Sequence, residues 1–202
     1  MLDIIRHKRI RRGMAVLVVL LICSCQTSFT SDGSKTSIYT DSASEPYERV
    51  FKEYTRAVSI HKGFDLVTDL HATLLSKDFL SNFEKKYFER LPAASDSPLK
   101  EAKEKIGLFV SLYTPIKDND MTDPKFWSYT LKHAGQDYKI ARVKKIKQKQ
   151  EWTPFFPYIN IWTVEYLLLF ELAPTQISDA QHGSSNIDIT LYNLQSKTEL
   201  NF

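Results

Sequence analysis

The stretch IGLFVSLYT, residues 106–114, decides the fold class. It is short and apolar, and Pro115 ends it, which is typical of a buried strand. Similar runs follow it between polar turns, at residues 126–133, 138–147, 159–172, 187–194 and 198–202. Strands at this spacing, with no helices between them, predict antiparallel pairing. We therefore expect an α+β domain that is mainly β, an antiparallel immunoglobulin-like sandwich.

The helical patterns lie in the N-terminal half of the folded part. Apolar residues at helical spacing predict one helix over about 46–57. Ser76 can cap a second helix over about 77–91. The segment between them, residues 57–75, has two readings: alternating residues favour a β-hairpin turned at Gly63, and a helical spacing competes.

The composition fits one folded domain. Of the 202 residues, 43% are hydrophobic and 25% are charged, which is usual for a globular protein and unlike a disordered one. A chain of this length buries one good core and is short for two. We expect a single globular domain over residues 46–202.

The N-terminus predicts export. Five basic residues between Arg6 and Arg12 precede an apolar run of about ten residues that starts at Met14. This order is that of a secretory signal peptide, and the run is shorter than the ~20 apolar residues that a spanning helix needs. Residues 1–24 are therefore expected to be a signal peptide.

The end of this signal has a specific pattern. Ile22, Cys23, Ser24 and Cys25 resemble the lipobox of bacterial lipoproteins. The resemblance implies that Cys25 receives a diacylglycerol, that residues 1–24 are removed, and that acyl chains such as palmitate anchor the protein. Cys23 fits less well as the acceptor, and an ordinary secretory signal with two incidental cysteines is the alternative. Gln26 after the acceptor implies the outer membrane, facing the periplasm, if the source is Gram-negative.

Residues 25–45 are expected to be the lipidated cysteine and a flexible tether. Ten of the twenty residues after Cys25 are Ser or Thr, and no apolar period is present. Such a segment buries too little surface to offset the loss of chain entropy. A coil of this length spans roughly 25 Å r.m.s.. The folded domain would hang just clear of the bilayer.

The predicted signal peptide accounts for the positive net charge of the chain. The whole chain carries 27 Lys and Arg against 24 Asp and Glu, a formal charge of +3. Residues 1–24 contribute +4 of this, so the part after cleavage is close to neutral, at −1. The overall charge therefore gives no reason to expect nucleic-acid binding.

The mature part has a second, looser resemblance. Its layout is similar to that of a group of uncharacterised Gram-negative envelope lipoproteins, through short strings at Glu48–Tyr54, Ala72–Ser76, Phe109–Thr114 (FVSLYT) and Phe155–Tyr158 (FFPY). That resemblance implies an envelope location and no particular activity.

Two surfaces are candidates for binding. The first is a basic run that could contact an anionic surface, or could be a solvated strand face: Lys139, Arg142, Lys144, Lys145, Lys147 and Lys149. The second is an aromatic segment that could meet a partner, or could fill the core: Trp152, Phe155, Phe156 and Tyr158.

No catalytic constellation is apparent. The histidines are scattered without metal-ligand spacing, and no nucleophile elbow or phosphate-binding loop occurs, so neither catalytic residues, metal nor cofactor is expected. We expect a non-enzymatic binding or structural module of the envelope, with a protein, glycan or lipid partner. The alternative is an envelope hydrolase or transferase whose site is spread over loops 117–123 and 176–186.

The lipidation hypothesis predicts the behaviour of Cys25→Ala. Removing the acceptor thiol should release the protein from membranes or leave it unprocessed, because the acyl chains supply the anchor. Fractionation of cells and labelling with a fatty acid measure this. A variant that is still processed and still requires detergent would contradict the lipobox interpretation.

Overall fold

The computed structural model describes residues 46–116, 119–171, 186–193 and 196–202. The signal peptide, the lipidation at Cys25 and the tether were predicted for residues 1–45, which lie outside the described residues. Most of the loop 176–186, which was predicted as part of an alternative enzyme site, also lies outside the described residues.

Two helices and eight strands form the described part. Helix α1 covers Pro46–Tyr54 and helix α2 covers Lys77–Arg90, and Ser76 caps α2 by accepting from the Phe79 N–H at 3.1 Å. The strands are β1 Thr55–Lys62, β2 Asp65–Leu75, β3 Ile106–Tyr113, β4 Trp127–His133, β5 Gln136–Lys145, β6 Val164–Phe170, β7 Ile187–Asn193 and β8 Lys197–Asn201.

The ambiguous segment 57–75 is a β-hairpin. β1 pairs with β2 in antiparallel register around a turn at Gly63, which has a φ of 65°. Glycine adopts this left-handed conformation without steric cost. The first helix therefore ends at Tyr54, earlier than expected, because the strand takes over at Thr55.

All eight strands lie in one antiparallel sheet in the order β1-β2-β3-β6-β5-β4-β7-β8, which nearly closes into a barrel. At the seam between β1 and β8, Arg56 Nε donates to the Asn201 carbonyl at 2.8 Å. The Arg56 guanidinium also lies 5.1 Å from the centre of the Phe202 ring. These contacts hold the two outermost strands together.

The mainly β class, with helices in the N-terminal half, is confirmed, whereas the immunoglobulin-like sandwich is not. Alternation along a strand indicates which residues are buried. It does not indicate whether strands share one curled sheet or divide between two flat ones.

Strands β3 and β6 are buried on both faces, and β2 is buried on both faces from Ala72 to Leu75. Their inner face packs into the barrel, where Ala72, Val110 and Tyr166 are neighbours in register across the three strands. Their outer face is covered by α1, α2 and the segment 152–158. The domain therefore has a second apolar layer outside the barrel.

This outer layer is made of aromatic rings. Phe109 on β3 stacks on Phe156 with ring centres 3.9 Å apart, and Phe156 also contacts Phe79 and Phe83 of α2. The Tyr47 hydroxyl of α1 donates to the Phe155 carbonyl at 2.7 Å. Phe156 thus joins both helices to the sheet.

This packing predicts that Phe156→Ala lowers the free energy of unfolding by about 3–5 kcal/mol, because it leaves a cavity between α2 and β3. Phe88→Ala is the matched control, since Phe88 lies on α2 but is 37% exposed. Urea unfolding followed by circular dichroism compares the two. Equal losses would contradict the role given to Phe156.

Candidate functional site

Four of the six residues of the basic run lie on an inner strand of the sheet. β5 carries Lys139, Arg142, Lys144 and Lys145, and it pairs with β4 through residues 136–139 and with β6 through residues 140–145. β5 therefore has a neighbouring strand on each side and is not an edge strand.

Acidic side chains pair with three of the six residues of this run. Glu101 accepts from Arg142 at 3.1 Å and lies 3.5 Å from Lys144 Nζ, and Lys145 donates to Asp120 at 2.7 Å. Burial raises the pKa of Asp120, but hydrogen bonds from Lys145 and Thr122 outweigh it and lower the pKa to about 2. The anionic-surface prediction thus rests mainly on Lys139 and Lys147, which are exposed and have no ion-pair partner among the described residues.

Lys149 has a structural role. Its ammonium donates to the carbonyls of Asn160, Ile161 and Thr163 at 2.8, 3.1 and 2.9 Å. A lysine ammonium has three hydrogens, so these bonds use all of its donors. Lys149 therefore holds the turn before β6 instead of facing a ligand.

The aromatic segment is core, which corrects the hypothesis of a partner surface. Trp152, Phe155, Phe156 and Tyr158 are all buried, because they cover the apolar outer face of β2 and β3. The Tyr158 hydroxyl also shares a hydrogen bond of 2.8 Å with Thr73. Each of the four residues is at most 9% exposed.

A histidine, a serine and a glutamate lie side by side on the outer face of the sheet. His71 on β2 is the register partner of Ser111 on β3, and Ser111 is the register partner of Glu165 on β6. The Ser111 hydroxyl donates to Glu165 at 3.3 Å. This row was not predicted from the sequence, because its members are far apart in the chain and only strand pairing brings them side by side.

The row lacks the geometry of a nucleophilic site. A serine nucleophile needs a histidine within hydrogen-bond reach and access for a substrate. Ser111 is fully buried and donates to a carboxylate, while the His71 Nε2 lies 3.6 Å from Asp69 Oδ2. A hydrogen bond from His71 holds the pKa of Asp69 below its usual value. The contacts of Ser111 and Glu165 fit a satisfied buried polar pair.

The described surface has, among others, two cavities that are not lined by a histidine. One has a volume of about 480 Å³, between the end of α2 and residues 150–155, with Tyr87, Arg90 and Trp152 in its wall. The other, of about 350 Å³, lies on the outer face of β4, β7 and β8. The second is polar, with side chains of both signs: Lys132, Asp137, Asp188, Lys197 and Glu199.

Exposed apolar side chains gather at one end of the barrel. Antiparallel pairing places the β1–β2 turn, the loop before β4 and the turn before β6 at the same end of the sheet. Phe64 at the first is fully exposed, Phe126 at the second is half-buried, and Ile161 and Trp162 at the third are 78% and 71% exposed. We call these four residues the apolar end. Soluble proteins rarely expose several large apolar side chains at one place on their surface.

The turn that carries Ile161 and Trp162 is rigid. The Asn160 side chain accepts from the Trp162 N–H at 2.8 Å, and the Thr163 hydroxyl accepts from the Asn160 N–H at 3.1 Å. The same hydroxyl donates to the buried Glu165 at 2.5 Å, and Lys149 binds the turn's carbonyls. The buried polar pair therefore helps to hold an exposed turn in one conformation.

Metal and membrane features are limited in the described ranges. No group of three or more His, Cys, Asp or Glu there could hold a metal ion. Neither described helix is long and apolar enough to cross a bilayer.

Comparison with known proteins gives no match among family models, curated proteins or solved structures. The function is therefore inferred from the residues of this chain.

The clamp on the turn predicts the effect of Lys149→Met. The variant should lose about 2 kcal/mol of stability, the scale of hydrogen bonds to a charged group, and Trp162 should gain mobility. Urea unfolding and Trp fluorescence anisotropy measure the two effects. Lys147→Met is the matched control, because Lys147 is exposed and has no ion-pair partner among the described residues. If Lys147→Met lost as much stability and gave Trp162 as much mobility, the role of Lys149 in holding the turn would be refuted.

Proposed function

We propose that the protein is a lipid-anchored component of the cell envelope and that its folded domain is a non-enzymatic binding module. The observation that carries this proposal is the apolar end, where Ile161 and Trp162 are held out in water by a rigid turn. The partner is an envelope protein, a glycan or a lipid.

Anchoring is supported by the sequence of the N-terminus. The basic residues, the apolar run and the acceptor position of Cys25 occur in the order that lipoprotein processing requires. Two or three acyl chains on one residue give stable membrane attachment, since each buried CH₂ contributes ~0.8 kcal/mol. If the source is Gram-negative, Gln26 favours the outer membrane, with the domain in the periplasm.

Binding is supported by the energetics of the apolar end. Burying a large apolar side chain contributes about 1.5–3 kcal/mol, so a partner that covers Ile161 and Trp162 gains from both. Because the turn is already ordered by Lys149, Asn160 and Thr163, association loses little conformational entropy there. Covering the exposed side chains of this turn is therefore favourable.

The enzyme alternative has one observation in its favour, which is the row of His71, Ser111 and Glu165. Against it stand the full burial of Ser111 and the direction of its hydroxyl toward Glu165. Neither described cavity combines a histidine with a carboxylate and a nucleophile. The binding module is therefore the better supported function.

Photocrosslinking in intact cells tests the proposal. With p-benzoylphenylalanine in place of Trp162, we expect a specific adduct with an envelope component. The same group in place of Phe88, which is partly exposed on α2, is the matched control. Identical adducts at the two positions, or none at Trp162, would contradict binding at the apolar end. The mass of the adduct distinguishes a lipid, a glycan and a protein.

A further inference from the structure

The apolar end consists of separate protrusions. Phe64 is at the tip of the β1–β2 hairpin, Phe126 is in the loop before β4, and Ile161 and Trp162 are in the turn before β6. None of the four lines either of the two cavities. Each protrusion rises from a strand end that is paired in the sheet, so their positions are set by the barrel.

Exposed lysines lie at the same end of the barrel. Lys62 precedes the hairpin tip, Lys125 precedes Phe126, and Lys147 lies just after β5 at the same end. All three are exposed and have no ion-pair partner among the described residues.

Two carboxylates at this end have no ion-pair partner among the described residues. Asp120 is paired with Lys145 at 2.7 Å. Asp123 keeps its negative charge, because its hydrogen bond of 2.9 Å comes from the backbone N–H of Lys125, and Asp65 is an exposed acid next to Phe64. Three unpaired lysines against these two carboxylates leave the local charge weakly positive.

We propose that the apolar end docks on the surface of an anionic phospholipid bilayer. Trp162 and Ile161 enter the boundary between headgroups and acyl chains, with Phe64 and Phe126 beside them. Lys62, Lys125 and Lys147 lie among the headgroup phosphates. This inference rests on the proposed function and names the partner of its binding surface.

Shape and chemistry favour a bilayer over a protein. A stable protein interface needs about 800 Å² of complementary surface on each partner, whereas the apolar residues here stand on separate turns. A bilayer accommodates uneven protrusions, and tryptophan and lysine together are characteristic of its interface. Clustered lysines are also attracted by anionic headgroups.

Tryptophan quenching in vesicles tests the docking. The full chain is reconstituted in phosphatidylcholine–phosphatidylglycerol vesicles with plain or brominated acyl chains, because bromine quenches only tryptophans that enter the bilayer. Of the three tryptophans in the chain, Trp127 and Trp152 are 4% and 9% exposed, so Trp162 is the reporter. The Trp162→Phe variant gives the background of the other two.

We expect quenching of the native chain and none beyond background in Trp162→Phe. Phe88→Trp in the Trp162→Phe background is the control, because it moves the exposed indole from the apolar end to α2. Its emission should not be quenched. In vesicles of phosphatidylcholine alone, quenching of the native chain should fall.

Native quenching no greater than that of the α2 control would overturn the docking. Equal quenching in both lipid mixtures would overturn the role of the lysines. A protein adduct at position 162 in cells, with no bilayer quenching, would leave the proposed binding module standing and remove the membrane as its partner. Absence of acylation at Cys25 is a separate result and counts against the lipid anchor alone.

Discussion

The structure depends on the burial of β3 on both of its faces. A strand in this position cannot face water on either side, so the sheet needs a barrel interior on one side and a cover on the other. Phe109 meets that need through its stack on Phe156 at 3.9 Å. Because Phe156 also contacts α2, the helices are held against the sheet by the same ring. The outer layer is thus a consequence of the apolar run at residues 106–113.

The sequence predicted the strands well because their pattern is local. Residues 106–113 lack polar side chains apart from Ser111, and residues 64–74 alternate, so the β3 strand and the β1–β2 hairpin were both foreseeable. Closure of the sheet was not foreseeable, because it depends on how far each strand pair twists and on contacts such as that of Arg56 with Asn201. A single side chain at the seam leaves no periodic signal.

The candidate sites show a different limit of sequence reasoning. Charge and aromaticity along the chain identify residue types but not their neighbours. Glu101 is distant in sequence from the basic run, and its carboxylate binds Arg142 and Lys144 only after folding. The aromatic segment was equally ambiguous, because the same rings can fill a core or cover a partner. Burial against β3 showed that these rings fill the core, while Trp162, four residues beyond the buried Tyr158, stays outside.

The distribution of polar groups around β6 explains why Ile161 and Trp162 stay exposed. Glu165 is buried, yet its oxygen is not available to a substrate, because Ser111 and Thr163 both donate to it. Thr163 in turn receives the Asn160 N–H, and Lys149 closes the turn from the other side. Breaking these bonds would remove one of the two donors to the buried carboxylate and the ammonium partner of three carbonyls. The fold therefore keeps Ile161 and Trp162 in contact with water, where the proposed partner would cover them.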